Sequence, residues 1–113
     1  MSHTPQSHLD AAAVNRPLRG RVAIAGAATY GCGEAPGMDD MTLLVRAAHA
    51  AVADAGLSMQ DIDGLATCSV TASMWPLPVI EHLGLNPGYV DGTMIGGSSF
   101  IAHLLPAMRA LEA

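Results

Sequence analysis

Apolar residues follow two patterns along this chain. Short continuous apolar runs alternate with stretches in which apolar residues recur every three or four positions. The first run is residues 21–28, Arg-Val-Ala-Ile-Ala-Gly-Ala-Ala, bounded by Gly20 and Gly31. A run that is apolar at every position suits a central parallel strand covered on both faces. Residues 29–40 hold Gly31, Gly33, Pro36 and Gly37 and read as a loop. Residues 42–55 then predict an amphipathic helix. Leu44, Ala47, Ala48, Ala51, Val52 and Ala55 form one stripe, with Arg46, His49, Ala50 and Ala53 on the other side. Asp39, Asp40 or Thr42 can cap its start and Gly56 can stop it. Its alanines would let it lie close on a sheet.

After a turn at 58–63, residues 64–69 read as a second strand. Asp61 and Asp63 are expected to cap and solvate that turn rather than to act as an acid–base pair. A loop at 71–75 leads to a short helix ending at Leu83, with Pro78 tolerated in its first turn. Gly84 to Gly88 breaks it, and residues 89–95 predict a third strand at or near an edge. A last helix starts at Ser99, with Phe100, Ile101, Leu104, Leu105 and Met108 at helical spacing and a kink expected at Pro106. The order strand, helix, strand, helix, strand, helix implies an α/β fold, a mostly parallel sheet with helices on its faces. Its first strand would be central and flanked by the second. Residues 1–20 read as a flexible arm ahead of one domain, 21–113. The chain stops at Ala113 still in helical pattern, so a truncated domain is expected.

Half of the residues are hydrophobic and 13% are charged, which leaves apolar surface for a partner chain. Aromatic residues are only 4%, so the core must use aliphatic side chains and methionine. The formal charge of −5, with no run of Lys or Arg, speaks against nucleic acid. There is no apolar run long enough for a membrane span and no basic-then-apolar start typical of a signal peptide, so a cytoplasmic setting is expected. Cys32 and Cys68 match no metal spacing and are expected to be free thiols; His3, His8 and His49 suggest no metal site. Gly26, Gly31 and Gly33 do not have the spacing of a dinucleotide-binding loop.

The stretch that could carry chemistry is 93–105, Thr-Met-Ile-Gly-Gly-Ser-Ser-Phe-Ile-Ala-His-Leu-Leu. It reads as a strand end, a two-glycine turn and a helix start. Gly96 and Gly97 permit close approach of a ligand, and Ser98 can cap the helix. Free amides at such a start favour an anion or a developing oxyanion. Gly96, Gly97, Ser98 and Ser99 are therefore the candidate binding residues. Ser98, Ser99 and His103 are the weak catalytic candidates, with His103 first a packing residue.

Five segments together resemble the N-terminal part of the thiolase superfamily, its sterol-carrier-protein-type or lipid-transfer-protein-type branch. They are Val22-Ala-Ile-Ala-Gly-Ala, Asp54-Ala-Gly-Leu, Asp61-Ile-Asp-Gly-Leu, Leu83-Gly-Leu-Asn-Pro with Tyr89-Val90, and Gly96-Gly-Ser-Ser. The resemblance implies a three-layer half-domain with a five-stranded sheet, duplicated in a longer protein. It also implies a dimer acting on acyl-CoA thioesters as substrate, with no bound cofactor or metal. In thiolases a cysteine nucleophile precedes the Gly-Ser of this turn; here that place is Gly96. The branch without this cysteine includes carbon–carbon lyases that cleave acyl-CoAs by retro-aldol chemistry with an OB-fold partner protein. The resemblance thus implies the N-terminal fragment of a lyase or lipid-transfer-type acyl-CoA enzyme, inactive alone. The alternatives are a non-catalytic short subunit that joins a longer thiolase-like partner, an acetyl-CoA acetyltransferase fragment, and an unrelated small α/β binding domain.

Overall fold

The structure is a computed structural model that describes residues 17–113. The reading of residues 1–16 as an arm, with His3 and His8, lies outside the described residues. Helix α1 spans Asp40–Asp54. The Asp39 side chain accepts the Thr42 amide at 2.8 Å and so closes its N-terminus. Hydrogen bonds from the Thr42 side chain and amide hold the Asp39 carboxyl below its ordinary value of 3.8. Gly56, at φ 73°, turns the chain off the helix. Arg46 and His49 are exposed and Leu44, Ala47, Ala48 and Ala51 are half-buried, as the stripe requires.

A single 3-10 turn, Met59–Asp61, follows. Asp61 accepts the Ser58 amide at 2.9 Å there, so this acid serves the turn. Strand β1 is Gly64–Ala66, helix α2 is Pro76–Leu83 and strand β2 is Tyr89–Asp91. The strands are parallel, with Gly64 opposite Tyr89, Leu65 opposite Val90 and Ala66 opposite Asp91. Backbone bonds extend the pairing at both ends, from Gly88 to the Asp63 carbonyl (2.8 Å) and from Thr67 to the Asp91 carbonyl (3.0 Å). Helix α2 makes the crossover and packs on β1 and α1. Pro76 stands at its first position, where a missing N–H costs nothing, and Gly84 ends it at φ 67°. Its Val79 and Leu83, four apart on one face, are the buried hydrophobic side chains among the described residues, Val79 completely so. Two short helices, α3 (Ser99–Ala102) and α4 (Leu104–Glu112), close the chain. No helix among the described residues is long and apolar enough to cross a membrane.

The fold is α/β with a parallel pair, but three expectations are corrected. Residues 21–28 are not a strand and are not the sheet's centre. They run alongside α1 instead, where the Ala27 amide donates to Asp54 Oδ2 at 3.0 Å, and Ile24 is 83% exposed. A strand needs a ladder partner for its amides, and here a helix residue takes the bond. The second and third strands are also shorter than expected, because Asp91 captures the Thr93 amide and turns the chain out of the ladder. Finally, the helix expected from Ser99 onward breaks at His103, ahead of the kink expected at Pro106. The Pro106 ring disfavours helical packing against the carbonyl four residues earlier, at Ala102. Moving the break to His103 puts Pro106 in the first turn of α4, where a missing N–H is tolerated.

The close approach of the 21–28 segment to α1 depends on Gly26. A Cβ there would lie 2.5 Å from the Ala51 carbonyl oxygen and 2.8 Å from the Ala55 nitrogen, both backbone atoms. Gly26→Ala should therefore lower stability by about 1–3 kcal/mol in urea unfolding. An unchanged midpoint would show that this segment does not hold its place on α1.

Candidate functional site

The end of β2 is built from polar side chains that bond back to the backbone. Asp91 accepts the Thr93 amide at 2.9 Å and the Thr93 hydroxyl at 2.6 Å, the two-residue turn that aspartate favours. The Tyr89 hydroxyl reaches the same carboxylate at 3.4 Å. These bonds, led by the Thr93 hydroxyl, hold the Asp91 carboxyl below its ordinary value of 3.8. Partial burial, with Asp91 beside it, pushes the Tyr89 phenol up.

The chain then enters the two-glycine turn. Gly96 takes φ 90°, a conformation open to glycine, and the Ser99 amide donates to its carbonyl at 3.1 Å. Ser99 is completely buried. Its Oγ accepts the Ile95 amide at 2.8 Å and donates to the Gly96 carbonyl at 2.6 Å. His103 is 4% exposed, and its Nε2 donates to the Thr93 carbonyl at 2.9 Å. The Phe100 ring meets the imidazole edge-on, with centroids 5.9 Å apart. Two buried side chains thus clamp both ends of the 93–99 segment.

This geometry sorts the candidate residues. Gly96 and Ser99 belong to one hydrogen-bonded turn, and His103 joins it through Thr93. Ser98 is exposed and makes no capping bond, so its expected cap role is corrected: Ser99, one residue on, bonds the backbone. The Ser99 hydroxyl is buried and has both a donor and an acceptor. The His103 imidazole is nearly buried and its Nε2–H is committed to the Thr93 carbonyl, which fits a packing residue. Helix α3 is a single turn, so the dipole expected behind the glycines is small. What the turn offers outward is the pair of amides of Gly97 and Ser98, which have no backbone acceptor among the described residues.

A cleft of about 550 Å³ opens at the carboxyl ends of β1 and β2. One wall is the loop 68–75 and the other is the segment after β2, through Gly92 and Met94. Met94 Sδ lies 3.6 Å from Ser99 Oγ, so the cleft adjoins the turn. Cys68 lies half-buried in the cleft wall, and Cys32 is exposed elsewhere; both are free thiols. Among the described residues no three His, Cys, Asp or Glu side chains converge as a metal site. In the sequence Asp91 has no expected role, Thr93 only begins the 93–105 stretch, and 71–75 reads only as a connecting loop. The Asp-x-Thr spacing was the available signal for the first two; for the loop there was none, because its wall forms only when β2 comes to lie beside β1.

A scan against protein-family models finds no match, and a search of the curated proteins finds no similar sequence.

Two measurements test this arrangement. Ser99→Ala should cost about 1–3 kcal/mol in denaturant unfolding, because it removes a fully buried hydroxyl that bonds both the Ile95 amide and the Gly96 carbonyl. A cost below the error of the fit would mean that the serine does not anchor the turn. Asp91→Asn should lower the melting temperature at neutral pH. A carboxyl lowered by folding stabilises above its unfolded value of 3.8, and that stability is lost as pH falls through the folded value. The gap between wild type and variant should therefore be constant at neutral pH and close below pH 3.8. A gap that persists in acid would assign the effect to something other than the charge.

Proposed function

We propose that this chain is the N-terminal portion of a thiolase-like acyl-CoA enzyme that works without a covalent acyl-enzyme, as a carbon–carbon lyase. The carrying observation is the turn itself. Gly96 supplies no nucleophile, the neighbouring Ser99 hydroxyl is buried and committed, and two amides remain free to donate. Donors without a nucleophile suit a reaction that develops charge on a thioester oxygen. In retro-aldol cleavage a base takes the β-hydroxyl proton of a β-hydroxyacyl thioester. The bond between the α and β carbons breaks, and the β carbon leaves as a carbonyl. The electron pair passes to the thioester as an enolate, which is then protonated at the α carbon. The Gly97 and Ser98 amides would hold the enolate oxygen. The base would come from a partner, since the His103 ring is buried. Such a partner, either a thiolase-like chain or an OB-fold protein, would also cover the exposed side chains of Phe100, Ile101, Leu104 and Leu105. A short subunit serving a longer partner would use the same face.

The test combines mass and affinity. Incubation with acetyl-CoA should leave the intact mass unchanged, while calorimetry should detect saturable binding. Gly97→Pro removes one donor amide and should weaken that binding by about tenfold, with helix content preserved by circular dichroism. An acetyl adduct on Ser98 or Ser99 would favour an acyltransferase over the lyase. No binding at all would end the acyl-CoA reading.

A further inference from the structure

We infer that the cleft at the carboxyl ends of β1 and β2 receives an uncharged hydrocarbon group, the acyl portion of the thioester; this deepens the acyl-CoA reading above and rests on it. The cleft lies beyond the carboxyl ends of two adjacent parallel strands. The volume, about 550 Å³, is that of a small-molecule site. No Asp, Glu, Lys, Arg or His lines it. An anion or cation would lose its water there with no countercharge, so a neutral apolar group is the complementary occupant.

The walls agree with this. Val70, Met74, Trp75, Leu77, Val90 and Met94 line the cleft, with the neutral hydroxyl residues Ser69, Thr71 and Ser73 beside them in the loop. Val70 is 79% exposed and Met74 71%, a poor arrangement for side chains with nothing to cover. Met74 takes φ 54°, and it alone among the described non-glycine residues has a positive φ. Backbone conformations of that kind cost free energy and gather at ligand sites. The loop is held in shape by the Ser69 hydroxyl, which accepts the Thr71 amide at 3.1 Å. The cleft adjoins the Gly96 turn through Met94, so one ligand could place a thioester at the turn and its hydrocarbon in the cleft.

Trp75 is the chain's single tryptophan, so its fluorescence reports on this cleft. The probes are 1-octanol, octanoyl-CoA and coenzyme A alone. Octanol and octanoyl-CoA should each shift Trp75 emission to the blue saturably, and coenzyme A should not. Both ligands should also slow alkylation of Cys68 by N-ethylmaleimide and leave Cys32 unchanged. Val70→Asp places a charge in the wall at an exposed position and should weaken both ligands by about tenfold with the fold intact. Calorimetric binding of octanoyl-CoA with Trp75 and Cys68 unaffected would overturn the cleft assignment and leave the thioester reading standing. Octanol binding at Trp75 without octanoyl-CoA binding would support the apolar site and sink the thioester reading. A Trp75 shift that follows protein concentration rather than ligand, abolished by Val70→Asp, would show that a second copy fills the cleft and would overturn the proposal.

Discussion

The contact on which this molecule most depends is the bond from the buried His103 imidazole to the Thr93 carbonyl, at 2.9 Å. It reaches from the junction of α3 and α4 back to the segment leaving β2. Ser99 adds a second fastening four residues earlier, through the Ile95 amide and the Gly96 carbonyl. An unpaired backbone group in a buried position costs more than a made bond returns, so such bonds define one conformation sharply. The two-glycine turn is therefore a held shape, although it is irregular. The same bonds occupy the Ser99 hydroxyl and the His103 Nε2–H.

Apolar packing contributes less here than in most domains of this length. Val79 and Leu83 of α2 form the buried centre, and the remaining large aliphatic side chains are partly or largely exposed. Helix α2 sits between β1 and α1 and links them. The 21–28 segment adds a close backbone contact at Gly26 and the bond from Ala27 to Asp54. Besides Ile24, exposed large side chains include two groups: Phe100, Ile101, Leu104 and Leu105 on α3 and α4, and Val70 and Met74 in the cleft. The first suits a protein surface. The second, concave and uncharged, suits a small apolar group.

The absence of a nucleophile at Gly96 and the commitment of Ser99 point the same way. A glycine at φ 90° lets the backbone present amides where a side chain would stand in the way. Charge developing on a ligand oxygen can be met by those amides without a covalent step. Met94 links the turn to the cleft, since it lines the cleft and its Sδ lies against the Ser99 hydroxyl.

Periodicity and punctuation in the sequence were enough to determine α1, α2 and the existence of the β1–α2–β2 crossover. Those features are local: an alanine stripe, a capping Asp39, a proline at the first turn of α2 and glycines at both helix ends act within a few residues of themselves. The Gly96–Ser99 turn was legible for the same reason. Which serine is locked, and by what, was not, because Ser98 and Ser99 differ only in which way the folded backbone points them. The tertiary structure alone decided that Ser99 faces inward, that His103 is spent on the Thr93 carbonyl, and that residues 21–28 meet a helix instead of a strand. An apolar run makes burial favourable but does not secure it: here only Val22 and Gly26 are half-buried, and the Ala27 amide goes to the element that supplies an acceptor. Here that acceptor is Asp54, on the helix.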